Sequence, residues 1–214
     1  STVEYNLNSA QTVAGTMTYG HLKMEASSSS TKTLGASIAI LGDLTITANS
    51  ILDAGTGFNI DLAGNWINSG SFTPNSGTVD FTGSGAKAIT NSSGETFNNF
   101  TTTGSGLITL DNDVRVNSTL TMTSANISTG TNALQLGTNT PTEGTLSYTS
   151  GTVIGKFERR ILGTSTGINF IFPVGTATNL NTATINFGAL AGGTVTAEFF
   201  GTDPGNTGLP IEDA

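Results

Sequence analysis

Ile38-Ala39-Ile40-Leu41-Gly42-Asp43-Leu44-Thr45-Ile46-Thr47-Ala48-Asn49-Ser50 reads as two short strands, each followed by a turn. Ile38/Ile40 and Leu44/Ile46 are apolar pairs with a one-residue gap, the period-two alternation of a half-buried strand. The pattern runs outward from here in both directions. Val3/Tyr5 and Leu22/Met24 precede it; Ile60/Leu62, Val79/Phe81, Ile108/Leu110, Val114/Val116, Leu120/Met122 and Leu134/Leu136 follow. Between pairs lie turn clusters such as Asp53-Ala54-Gly55, Asn68-Ser69-Gly70 and Asn75-Ser76-Gly77. Strands this short bury little apolar area in a flat sheet. They bury more if the chain coils, so that each strand stacks on its counterpart one winding later, which is the parallel β-helix or solenoid arrangement. Coils of about 20–25 residues would place six or seven in residues 1–150, a rod roughly 30 Å long at about 4.8 Å per stacked strand. A β-sandwich is the competing architecture. The close spacing of the turns and their Asn and Gly content favour the solenoid.

Composition agrees with an all-β fold. Gly, Thr, Ser and Asn supply 108 of the 214 residues, while charged residues are only 10%. Abundant β-branched residues broken by Gly and Asn suit strands and tight turns, and the Ala, Leu, Glu and Lys bulk of a helical protein is missing. An apolar share of 36%, spread from end to end, argues against disorder. The absence of Cys removes disulfides, zinc-thiolate sites and thiol catalysis. A formal net charge of −8 disfavours nucleic acid, whose phosphates call for basic patches. No run of 18 apolar residues encodes a transmembrane helix. Ser1 opens directly into a strand-like pattern, so any export signal is expected to have been removed or to lie outside this sequence.

A longer period overlies the short one. Ser1-Thr2-Val3-Glu4-Tyr5 returns as Gly77-Thr78-Val79-Asp80-Phe81, and Ala10-Gln11-Thr12-Val13 as Ala86-Lys87-Ala88-Ile89. At the same spacing of 76, Ile38 and Ile40 match Val114 and Val116, and Leu44-Thr45-Ile46-Thr47 matches Leu120-Thr121-Met122-Thr123. The solenoid is therefore read as two copies, 1–76 and 77–150. From about residue 151 the strands lengthen: Gly151 to Ile161, Ile168 to Val174, Ala183 to Phe187 and Thr194 to Phe200. These read as an antiparallel β module, 151–214, with an extended tail from Gly201.

Two groups of motifs carry a resemblance. Ser76-Gly77-Thr78-Val79-Asp80-Phe81-Thr82-Gly83-Ser84-Gly85-Ala86 and Leu120 to Gly130 resemble a recurrent unit of large secreted repeat proteins of Gram-negative bacteria that use the type IX export route. Phe172-Pro173-Val174-Gly175, and Ala197-Glu198-Phe199 through Asp203-Pro204-Gly205-Asn206-Thr207-Gly208-Leu209-Pro210, are similar to the module that often follows such repeats. The resemblance implies an adhesin-like surface or secreted protein without an assigned activity. It transfers no catalytic residue.

Candidate sites are few. The acids are scattered singly, whereas a glycoside hydrolase needs two opposed carboxylates. Glu4 maps to Asp80 in the second copy, as a solvated strand position would. His21 is the only His, so neither a catalytic triad nor a transition-metal cluster can be built. Asp111, Asn112 and Asp113 place three oxygen-bearing side chains together and form a weak calcium candidate; turn chemistry is the simpler explanation. Gly83-Ser84-Gly85-Ala86-Lys87 lacks the spacing and following helix of a phosphate loop. Trp66, Tyr19 and Tyr148 are candidates to stack on sugars, or else core aromatics. Thr45/Thr47 and Thr121/Thr123 would build an ice-binding ladder only if repeated in every coil.

Lys156, Arg159 and Arg160 hold three of the seven cations within five residues. Local ion pairing with Glu158 is the simplest expectation. An anionic glycan, or an acidic segment such as Glu212-Asp213 of another subunit, would be the alternative partner. Arg159, Arg160, Glu212 and Asp213 are thus interface candidates, and alternation sends Arg159 and Arg160 to opposite faces. A solenoid also exposes the unpaired edge of its terminal coil unless something caps it. The expectation from sequence is a non-enzymatic extracellular structural or adhesive protein without a cofactor, self-associating head to tail into filaments. The alternative is a glycan-binding or polysaccharide-cleaving β-helix.

Overall fold

The computed structural model describes residues 1–138, 142–189 and 191–201. Among them every regular element is a β-strand, and all pairing up to Val153–Ile161 is parallel. The chain winds through about seven coils with three walls, so the sandwich alternative is excluded. The first wall stacks Thr2–Tyr5, His21–Met24, Leu44–Ile46, Trp66–Asn68, Lys87–Thr90 and Ile108–Leu110, then residues 127–128 and 153–154. The second wall stacks Gln11–Val13, Ser30–Leu34, Ser50–Asp53 and Ser71–Thr73. Its later rungs are residues 95–97, 114–116, 134–136 and 157–159. The third wall runs from Thr18–Tyr19 through Ile38–Ile40, Ile60–Leu62 and Thr78–Phe81 to residues 99–102, 119–122 and Thr145–Tyr148.

The alternation seen in the sequence sets which side chains enter. Along the third wall, Tyr19, Ile40, Leu62 and Phe81 follow one another in register and are all buried. Mid-rod, Trp66 meets Phe72 and Phe97 edge-on at 4.8 and 5.1 Å, and Phe97 stacks on Phe100 at 5.4 Å. Burying a large apolar side chain is worth about 1.5–3 kcal/mol. One rung cannot enclose such side chains alone, and the stack shares them in one core from Val13 to Val174. Where the third wall turns into the first, glycines let the coils close. An added Cβ at Gly64 would lie 2.5 Å from the Gly42 carbonyl, and one at Gly104 would lie 2.2 Å from the Gly83 oxygen.

The 76-residue spacing does not return a block to its own wall. Thr2–Tyr5 stands on the first wall and Thr78–Phe81 on the third. Gln11–Val13 is on the second wall, and its counterpart Lys87–Thr90 is on the first. Ile38–Ile40 likewise passes from the third wall to the second, and Leu44–Ile46 from the first to the third. The two sequence copies are therefore related by three windings and two further walls.

Val153–Ile161 belongs to both parts of the molecule. It lies parallel on residues 127–136 and pairs antiparallel with Gly193–Ala197, which ends the stack on the second wall. The Asn169–Phe172/Ala183–Asn186 hairpin packs beside it, with Phe172 edge-on to Phe157 at 5.8 Å. At the other end Thr2–Tyr5, Gln11–Val13 and Thr18–Tyr19 each have a partner on one side only among the described residues. Val3, Leu7 and Met17 are exposed there.

Candidate functional site

The polar groups that depart most from a plain solvated coat lie on the second wall, where rungs 95–97, 114–116, 134–136 and 157–159 follow one another. Alternation turns Thr96, Arg115, Gln135 and Glu158 outward in one column. Arg115 donates from Nε and Nη2 to Gln135 Oε1 at 3.1 and 2.9 Å, and Gln135 Nε2 donates to Glu158 Oε2 at 3.1 Å. Two residues beyond Glu158, Arg160 leans over the same column. Arg115, Gln135, Glu158, Arg160 and Thr194 border a recess of about 50 Å³. A second recess of about 230 Å³ shares Arg115 and Gln135 and continues past Ser93, Thr96 and Asp113 to Glu95.

Glu95 forms the floor. It is buried, and its Oε2 accepts from Trp66 Nε1 at 2.6 Å, Asn68 Nδ2 at 2.8 Å and Asn91 Nδ2 at 3.3 Å. Its Oε1 accepts the Thr96 amide at 2.9 Å. Four donors around one buried carboxylate make it a structural anchor that ties the first wall to the second.

Arg159 points the other way, as alternation requires. It is buried, with its guanidinium 5.1 Å from the Phe170 ring centre and 5.8 Å from that of Phe172. Nη1 donates to the Ile171 carbonyl at 3.0 Å. Burial lowers its pKa, and nearby Glu143 opposes the shift. The expected local ion pairing with Glu158 does not form, because Glu158 is held by Gln135 on the neighbouring rung. Lys156 instead donates to the Thr131 carbonyl at 3.2 Å. Glu212 and Asp213 lie outside the described residues.

The loop 111–113 is committed to joining rungs. Asp111 Oδ2 accepts from Thr90 Oγ1 at 2.7 Å, Asn112 Nδ2 donates to Ser92 O at 2.9 Å, and Asp113 Oδ1 accepts the Ala133 amide at 2.9 Å. His21 is exposed, and its Nδ1 accepts the Asp43 amide at 2.9 Å. Trp66 and Tyr19 are buried, which withdraws both from sugar stacking. Half-buried Tyr148 donates to the Gly151 carbonyl at 2.9 Å. In the 83–87 loop Lys87 folds inward and donates to Gly83 O at 2.7 Å, so its amine closes its own turn. Thr45 stacks between Lys23 and Ile67, and no threonine ladder forms on that wall.

Sequence reasoning passed over Arg115, Gln135 and Glu95, and read Glu158 only as a partner of the cations beside it. The available signal was their spacing, since outward polar residues one winding apart become neighbours in a stack. The chain matches no protein family, no curated protein and no solved structure.

Proposed function

We propose that this chain is a non-enzymatic structural and adhesive module of an extracellular, surface-located protein. It builds filaments by end-to-end association of copies. The observation that carries this reading is the outer edge of the first coil, where three strands have no second partner among the described residues and Val3, Leu7 and Met17 are exposed. Such an edge is a template for strand addition. At the far end Thr145–Tyr148 also pairs on one side only among the described residues, which offers the third wall an edge to receive a following copy. Contacts of this heterologous kind propagate when they do not close into a ring. The extracellular placement rests on the resemblance to secreted repeat proteins of the type IX route.

The test is sedimentation of the purified chain over a wide concentration range, with electron microscopy of the same material. Concentration-dependent assembly is expected, abolished by Val3→Lys, which puts a charge on the open edge. A monomer at every concentration, without fibres, would refute the proposal. A second reading, a glycan-binding or glycan-cleaving β-helix, is favoured by the polar recess on the second wall.

A further inference from the structure

We infer that the paired recess on the second wall binds a uronic-acid residue of an acidic glycan, with Arg160 and Arg115 receiving its carboxylate. This inference goes beyond the reading as an assembling rod and does not depend on self-association.

Arg160 Nε is buried and has no acceptor among the described residues. Among the described residues the Arg115 guanidinium donates to the neutral oxygen of Gln135 alone. Neither arginine belongs to an ion pair among the described residues, where the pairs found join Lys23 to Glu4 and Glu25. Two guanidiniums thus border one recess beside a single carboxylate, Glu158, which is held by Gln135 and pairs with neither, in a protein of net charge −8. A guanidinium's natural complement is a planar oxyanion held by two donors. The smaller recess, about 50 Å³, takes a group of carboxylate size, and the larger one, about 230 Å³, begins at Arg115. That volume is below the ~300–1,000 Å³ of pockets enclosing drug-sized ligands, which fits a single ring in weak, additive contact.

The remaining lining chooses between partners. Asp113, Thr96 and Ser93 border the larger recess, and Glu158 the smaller. Hydroxyl-rich rings satisfy such acceptors, with one negative charge per residue aimed at the arginines. A run of acidic amino acids carries the same charge per residue but no ring hydroxyls to donate to Asp113 and Glu158, which disfavours a peptide.

The experiment uses the full chain with ¹⁵N-detected arginine Nε signals. It is titrated with tetragalacturonate, with neutral tetragalactose, and with a tetraglutamate peptide. Expected are millimolar binding of the uronate, shifts confined to Arg115 and Arg160, and weakening by added salt. Arg160→Gln and Arg115→Gln should each lower affinity about tenfold, while Lys156→Gln leaves it unchanged. No shift with the uronate, equal binding of the neutral oligosaccharide, or tighter binding of the peptide would each overturn the inference. The wild-type Nε shifts decide it even if a variant fails to fold.

Discussion

Single buried polar residues fix how neighbouring coils sit on one another. Glu95 gathers donors from Trp66, Asn68, Asn91 and Thr96, which a neutral amide cannot match, since one of its ends is itself a donor. Hydrogen bonds to a charged group contribute about 1.5–3 kcal/mol, so Glu95→Gln should lose roughly that much in urea unfolding. The change should be visible in Trp66 fluorescence. Lys32 plays a comparable part at the first coil, fully buried, where its ammonium donates to the Leu7 and Ser9 carbonyls and to Ser30 Oγ.

Asp61 and Asp80 stand in register on the outside of the third wall. Desolvation first, and the Asp80 charge second, push the Asp61 carboxyl above its ordinary value, although the residue reaches solvent. A raised carboxyl binds its proton more tightly in the folded state. Its contribution therefore favours folding below the unfolded pKa and is lost as pH rises through the folded one. Asp61→Asn should raise Tm slightly at pH 7 and leave it unchanged near pH 3, as read by thermal melts at both values.

At the scale of the element, the rung is defined by its inward pairs and by corners tight enough to stack. Gly104 shows the second requirement, because its missing Cβ would meet main-chain atoms of Thr82 and Gly83 on the coil before. Neither neighbour can yield without breaking its own rung. Gly104→Ala should cost about 1–3 kcal/mol or more. Gly85→Ala, where an added Cβ meets nothing within 4 Å, should be neutral in the same denaturant series.

The inward pairs were legible in the sequence because period two is a local signal. Ile38/Ile40, Leu44/Ile46 and Ile60/Leu62 all point inward as read. What could not be read is which rung meets which, since partners lie about one winding apart and windings vary in length. The Arg115–Gln135–Glu158 column, the inward turn of Lys87 and the donors around Glu95 all depend on that register. Arg159 was rightly placed opposite Arg160, but its burial under Phe170 and Phe172 required knowing that the hairpin folds back.

For the whole molecule, stability is expected to be graded along the rod. Each coil leans on two neighbours except at the ends, and stacked repeats behave as a chain of nearest-neighbour couplings. Thr2, Val3 and Glu4 are exposed, while the middle rungs enclose the Trp66, Phe72, Phe97 and Phe100 cluster. Amide exchange should be fastest in residues 2–19, slowest around residues 60–122, and intermediate in Val153–Ile161. Uniform protection along the chain would contradict this gradient.

The passage of equivalent blocks from one wall to another carries a last consequence. A segment such as Leu44–Ile46 and its later twin Leu120–Met122 face the same interior from different sides, so a rung need carry no address beyond in-and-out alternation. Inward alternation reads the same on all three sides, and it is the glycine corners that tell one side from another. A copied stretch thus keeps its apolar pairs in shelter when it lands on a new side, while its corners must be refitted.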